Sequence, residues 1–356
     1  MKVGSLKIAF TYAGCIVGAG FLSGQELWQF FGSYGNLGVV GFVLAIVLQA
    51  VLGYIVLKYA YVSQISEFDK LIVKKDIKPL RLFFIAVEVV FIFSVVVIMY
   101  AGAGSLIEST FKIPSFLGSI IFATIITIIA FLGIKGITSV LSLTIPLLTV
   151  VTLIISIMAL SKYGYPSFTN LEVTGKTALM PNFVIAFILF SVHNLFCALG
   201  VLAPVGTMLK EEKSAFNGMG VCSIVLVIIS LSVILPIYAS PIFASYDLPM
   251  LEIAKTISAP LFYVYAILLL IGMFGSALSH LVSVMEFTFK KCEFLSNRKW
   301  LLILPTSILA FVLSRFGFST LISIMYPISG YIGAIGLVLI VINLFTHNKD
   351  IKNKNR

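Results

Sequence analysis

Apolar positions in this chain do not alternate with polar ones; they fuse into long runs. Ile, Val, Leu and Phe dominate stretches at 6–31, 37–60, 82–105, 116–132 and 138–160, then at 182–204, 219–238, 261–289, 300–314 and 321–345. A helix needs about 20 residues to cross the hydrocarbon of a bilayer. Backbone amides find no water there, so runs of this composition are predicted to be helical. The pattern predicts an all-α polytopic membrane protein with about ten transmembrane helices, one transporter-sized domain over 1–356. Five runs (6–160) precede a polar segment at 161–180, and five more (182–345) follow. Five is odd, so the second group starts from the opposite side of the membrane. That is a 5+5 inverted repeat, which puts a binding site where the first helices of the two halves meet.

Composition narrows the class. Hydrophobic residues make up 60% of the chain and charged ones 11%, against about 25% charged in soluble domains, and mean hydropathy is +1.12. A soluble domain and a disordered chain are both excluded. The excess of 24 Lys+Arg over 14 Asp+Glu is a topology signal. With both termini cytoplasmic, only Lys112, Lys162, Lys176, Lys255 and Arg315 fall in outer segments, as the positive-inside rule requires. No nucleic-acid partner is expected; the bilayer is the partner. The cysteines, Cys15, Cys197, Cys222 and Cys292, form no CxxC, so neither a disulfide framework nor a zinc site is expected. Ala13-Gly14-Cys15 is shaped like a lipoprotein cleavage site, but Tyr12 and the apolar residues beyond Cys15 predict a mature helix. No GxxxxGK[ST], GxSxG or HExxH string occurs, which speaks against ATP-driven transport and against an enzyme.

Candidate chemistry sits where the apolar runs are interrupted. The first run reads Tyr12-Ala-Gly-Cys-Ile-Val-Gly-Ala-Gly-Phe-Leu-Ser-Gly-Gln-Glu26, with Gly14, Gly18, Gly20 and Gly24 at mid-membrane depth. Two readings are open: close helix packing through the Gly14/Gly18 GxxxG pair, or a discontinuous helix that frees backbone groups to bind a solute. In the second half, His193 and Asn194 interrupt an apolar run that Pro204 closes. They predict either an interhelical hydrogen bond or a cavity wall, and a matching break in the sixth helix. Ser276, Ser279 and Ser283 recur at helical spacing, where hydroxyls complete a sodium shell or bond their own helix carbonyls. Glu26, Glu88, His193 and His280 are the candidates for carrying a proton or gating. Glu286 is expected to pair with Lys290 one turn on.

The string Ala13-Gly-x-x-Val17-Gly18-x-Gly20 resembles the broken first helix of the LeuT-fold (amino acid–polyamine–organocation) transporters. Its continuation through Phe21-Leu22-Ser23-Gly24-Gln25-Glu26 is similar to the YkvI-type family of bacterial membrane proteins. The resemblance implies discontinuous helices 1 and 6. It also implies a sodium site of Gly14, Val17, Ser279 and Ser276, although Leu278 stands where sodium-coupled members carry a second hydroxyl. A substrate carboxylate would rest on amides of Gly18, Ala19 and Gly20, with Asn194, Phe196, Cys197 and Ala198 lining the side-chain pocket. The implied function is secondary active transport, an ion-coupled symport of an amino acid or related carboxylate across the bacterial cytoplasmic membrane by alternating access. A sodium ion is the one cofactor it suggests. The rival from another class is a solute sensor on the same scaffold, which binds without concentrating its ligand.

Overall fold

The computed structural model describes residues 2–73, 77–132, 137–166, 177–289 and 298–354. The pairing expected of Glu286 with Lys290, and Cys292, lie outside the described residues. The apolar runs coincide with helices. The first run divides into α1 (Ser5–Ile16), α2 (Ala19–Leu22) and α3 (Gln25–Phe30). Then come α4 (Asn36–Ser63), a short α5 (Phe68–Ile72), α6 (Lys78–Phe111), α7 (Ser115–Leu132) and α8 (Ile137–Tyr163). The second half holds α9 (Phe183–Thr207), α10 (Glu212–Ala239), α11 (Pro249–Ile257), α12 (Ala259–Phe289), α13 (Trp300–Ser314) and α14 (Phe318–Lys354). Among the described residues, seven helices are long and apolar enough to cross a membrane, and three shorter apolar ones span Ser5–Ile16, Ser115–Phe131 and Trp300–Ser314.

Helical periodicity decides which side of each helix meets lipid. Val43, Val47 and Val51 of α4, Ile121, Ile125 and Ile128 of α7, and Val338, Ile342 and Phe345 of α14 are large, apolar and exposed. They recur every three or four residues, so each set forms one outward stripe. The opposite faces pack inward: α4 and α14 along α9, α6 along α12, and α1 along α10. Glycine permits the closest of these approaches. A Cβ at Gly330 would meet the Leu189 carbonyl at 2.8 Å, and one at Gly333 would meet Phe196 Cβ at 2.9 Å.

One end of the bundle is tied by polar bonds between the two halves. Val3 N donates to Met208 O at 2.7 Å, and Val3 O accepts from Lys210 N at 3.2 Å. Lys58 pairs with Glu212 at 2.6 Å, and Asn343 Nδ2 donates to the Leu71 and Ile72 carbonyls. Arg81 and Asp69 pair at the same end, at 2.7 Å. Basic Lys2, Lys7, Lys210 and Lys213 flank these contacts in sequence.

The expected second break is not there. α9 is continuous helix from Phe183 to Thr207, because its polar side chains are satisfied without unwinding the backbone. Asn194 Nδ2 donates to Phe190 O at 3.0 Å, within its own turn. Ser191 Oγ is within hydrogen-bonding distance of Phe187 O at 2.7 Å and of Ala45 O on α4 at 3.0 Å. Pro204 falls in the last turn, where it ends little.

Candidate functional site

The first span breaks where the glycines predict, but for a more particular reason. Val17 leaves the helix (φ −78°, ψ 87°) and Gly18 is extended (φ −110°, ψ 179°), a conformation open to any residue. Gly18 N turns back to Ile16 O at 2.9 Å, so the Gly14 carbonyl loses its i+4 amide. The amides of Ala19, Gly20 and Phe21 open the next helix and find no acceptor within it. A second bend follows at Gly24, whose φ of +92° demands glycine. Neighbouring elements take up two of the freed carbonyls, Tyr265 Oη donating to Leu22 O at 2.7 Å and Met250 N to Ser23 O at 3.0 Å, while Ser23 Oγ of the segment itself donates to Gly20 O at 2.6 Å.

The packing reading of the glycines fails on geometry. A Cβ at Gly14 or Gly18 would have nothing within 4 Å, so these two keep space open rather than bring helices together. Gly272 of α12 is the close-approach glycine here: a Cβ on it would lie 3.2 Å from Ala19 Cβ.

The space that Gly18 keeps open is a cavity of about 90 Å³ beside the break. Gly18, Ala19, Gly20 and Glu26 line it from α2, α3 and the segment before them; His193, Asn194 and Cys197 from α9; Ser276 and His280 from α12. Val95 and Met99 of α6 and Tyr326 of α14 complete much of the wall. Residues 193, 194 and 197 face it together because α9 stays helical, and positions i, i+1 and i+4 share one side.

Its polar groups are oriented from outside the cavity. His193 stacks on Tyr326 with ring centroids 4.2 Å apart and its Nδ1 is hydrogen-bonded to Ser329 Oγ. Ser329 Oγ also lies 2.7 Å from Tyr326 O, and Cys197 Sγ is 3.7 Å from the same His193 nitrogen. His280 Nδ1 lies 2.7 Å from Ser276 O; a carbonyl only accepts, so this ring keeps its proton on Nδ1. Glu26 is 4% exposed, near the Asn194 amide, and its Oε1 has no hydrogen-bond partner among the described residues.

Several expected residues lie elsewhere. Phe196 packs beneath Gly333 and Gly336 and edge-on to Phe91 at 5.6 Å; Ala198 is fully buried. With α9 unbroken, both rotate away from the cavity. Gly14, Val17 and Ser279 do not line it either. Ser279 is exposed, and its hydroxyl donates to Ser276 O at 3.1 Å, while Ser283 Oγ donates to Ser279 O at 2.8 Å. These serines bond their own helix. Glu88 is buried in α6 outside the lining, its Oε2 unpartnered among the described residues. No group of three or more His, Cys, Asp or Glu side chains could hold a metal ion among the described residues.

Beyond Glu26 a hydrogen-bond network links α3 to α14 and Asp247. Gln25 Nε2 and Gln29 Nε2 donate to Ser319 Oγ of α14 at 2.5 and 3.0 Å. Ser319 N in turn donates to Asp247 Oδ1 at 3.4 Å, and Ser105 Oγ to Asp247 Oδ2 at 2.6 Å. Gly14, Cys15, Ser279 and Ser283, on the other side of the break, are exposed.

Comparison with solved structures gives MhsT in complex with L-phenylalanine (TM-score 0.61, 17% identity, covering 97% of this chain and 98% of that one). It also gives the inward-facing conformation of Mhp1 (TM-score 0.62, 12% identity, 95% and 76%). The fold is LeuT-like. A manganese transporter of Eremococcus coleocola shares it as well (TM-score 0.59, 15% identity, 95% of this chain and 78% of that chain). Two Bacillus subtilis proteins are similar along nearly their whole length: the uncharacterised protein YyaD, 25% identical over 340 residues (95% of this chain, 96% of YyaD), and the uncharacterised membrane protein YkvI, 24% identical over 343 (93% of each). No family model matches the chain.

Proposed function

We propose that this protein is a secondary active transporter, an ion-coupled symporter that carries a small organic solute across the cytoplasmic membrane by alternating access. The observation that supports this most is the cavity at the helix break, where free backbone groups, a buried carboxyl and two oriented imidazoles surround a common space. Transporters of the same fold, among them one solved with L-phenylalanine, favour an amino acid or related compound as cargo. In this reading the ten helical stretches form a 5+5 inverted repeat (6–160 and 182–345), and both termini are cytoplasmic. The tied, Lys-rich end of the bundle then faces the cytoplasm, and the conformation described is inward-facing. Rocking of α1–α4, α9 and α10 against α6, α7, α12 and α13 would open the Gln25–Ser319–Asp247 bonds and expose the cavity outward. Sodium at Gly14, Val17, Ser276 and Ser279, or a proton on Glu26 or Glu88, would supply the coupling.

The test is uptake by proteoliposomes under an imposed sodium or proton gradient. Accumulation of solute that collapses with the gradient supports the proposal. Saturable binding with no accumulation under either gradient identifies a sensor instead.

A further inference from the structure

We infer that the groove between α7 and α13 binds an anionic phospholipid, one acyl chain lying in the groove and the phosphate held by Arg315. The inference goes beyond the transport reading and needs only that the chain spans a bilayer.

Ile120, Ile128 and Phe131 of α7 and Leu304, Ile308 and Phe311 of α13 line a groove of about 320 Å³. Ile128, Phe131, Leu304 and Ile308 are exposed, so the groove lies on the surface that meets lipid. From Ile120 to Phe131 a helix rises about 16 Å at 1.5 Å per residue, roughly half of a ~30 Å hydrocarbon core. That length matches the depth of one leaflet. The hydroxyls in its wall already have partners. Thr124 Oγ1 donates to Ile120 O at 2.8 Å and Thr127 Oγ1 to Ala123 O at 2.6 Å. Ser307 Oγ lies 2.5 Å from Thr127 Oγ1 and 2.9 Å from Tyr100 Oη. No charged side chain lines the groove, so what it presents is a surface for hydrocarbon.

Arg315 stands at the end of the groove away from the tied end of the bundle. Its guanidinium lies 4.3 Å over the Phe116 ring, and Phe116 packs on Phe311 with centroids 5.7 Å apart. The cation therefore sits one ring beyond the groove's last residue. Stacking occupies the face of the guanidinium and leaves its N–H groups at the edge. Arg315 is exposed and pairs with no carboxylate among the described residues. A planar donor at the head of a hydrocarbon groove matches a phosphodiester followed by its acyl chain. With both termini cytoplasmic, this is a lipid of the outer leaflet. A second copy of the chain is a poorer match. About a two-fold axis along the membrane normal, residues at equal depth face each other, and Arg315 would meet its own counterpart.

Native mass spectrometry of the purified full chain, delipidated and then titrated with phosphatidylglycerol or phosphatidylcholine of identical acyl chains, tests both parts of the site. The expected result is a retained phosphatidylglycerol, preferred roughly fivefold or more over phosphatidylcholine. Arg315→Gln should bring that preference below twofold. Thr124→Phe, which fills the groove from its exposed side, should weaken both lipids at least fivefold and keep the preference. The inference is overturned if the wild type shows no headgroup preference, or if Arg315→Gln retains it. It is also overturned if Thr124→Phe leaves lipid affinity within twofold, whether or not it dissociates a dimer; dissociation would mark the groove as a contact between copies. Should Thr124→Phe fail to fold, Ile308→Phe on the facing helix takes its place.

Discussion

The opening spans of the two halves carry the same kind of disturbance and respond in opposite ways. In α1–α3 the backbone gives way at Val17–Gly18 and again at Gly24. In α9, His193 and Asn194 sit at comparable depth and the helix runs through. The difference lies in where the missing bonds are made. Around α2, the Leu22 and Ser23 carbonyls are served by donors from other elements, Tyr265 of α12 and Met250 of α11, which lowers the cost of unwinding. Around His193, the partners are side chains, Ser329 and the ring of Tyr326, so the backbone keeps its own ladder. A polar residue within a span therefore announces a partner. A break needs, in addition, donors waiting outside to serve the carbonyls it frees.

That contrast can be attacked from both sides. The largest effect is expected at Gly24, where alanine must adopt φ near +92° and its Cβ would lie 2.6 Å from Ile237 Cδ1. Gly24→Ala should cost about 3 kcal/mol of stability, read as a lower unfolding midpoint in detergent. An unchanged midpoint would show that the second bend is not imposed by glycine. His193→Ala removes a buried hydrogen bond and a stacked ring and should cost about 2 kcal/mol. Ser329→Ala, which leaves the stack, should cost less. Tyr265→Phe deletes only the hydroxyl that serves Leu22 O and should cost about 1 kcal/mol; no loss would mean the broken segment does not depend on that outside donor. The smallest effect is expected at Gly18. Its backbone is ordinary extended chain and a Cβ meets nothing, so Gly18→Ala should change stability by less than about 0.5 kcal/mol. Gly18→Leu should fold equally well and abolish solute binding by filling the cavity.

Much of the architecture was legible because lipid leaves the backbone so few choices: long apolar runs became helices, though some, such as α6, α10 and α14, extend well past the apolar stretch into polar residues. The first break was legible too, through Gly18 and Gly24 together. Which glycine bears the conformational demand was not, since composition cannot distinguish a residue kept small for space (Gly18) from one kept for its φ (Gly24). The site was half visible. His193, Asn194 and Cys197 reach the cavity, whereas Phe196 does not, and the reason is the helix they share: expecting α9 to unwind blurs which residues face together. For Ser279 two readings stood side by side, an ion shell and a bond within the helix; here its hydroxyl donates to the Ser276 carbonyl one turn back. The bonds beyond Glu26 join Gln25 and Gln29 to Ser319 near the opposite end of the chain. Nothing in local pattern links residues so distant, and Tyr326 and Ser329, which orient His193, escaped for the same reason.

In the proposed transport cycle, cargo sits in the space beside the first break. Cys197 reports on it directly, because it borders the cavity from the middle of α9 and is nonetheless exposed there. With Cys15, Cys222 and Cys292 replaced by serine, the rate of Cys197 modification by a small maleimide should fall at least tenfold when a transported solute is saturating. A rate that stays the same at saturation, in protein shown to bind that solute, would place the cargo elsewhere and contradict the account.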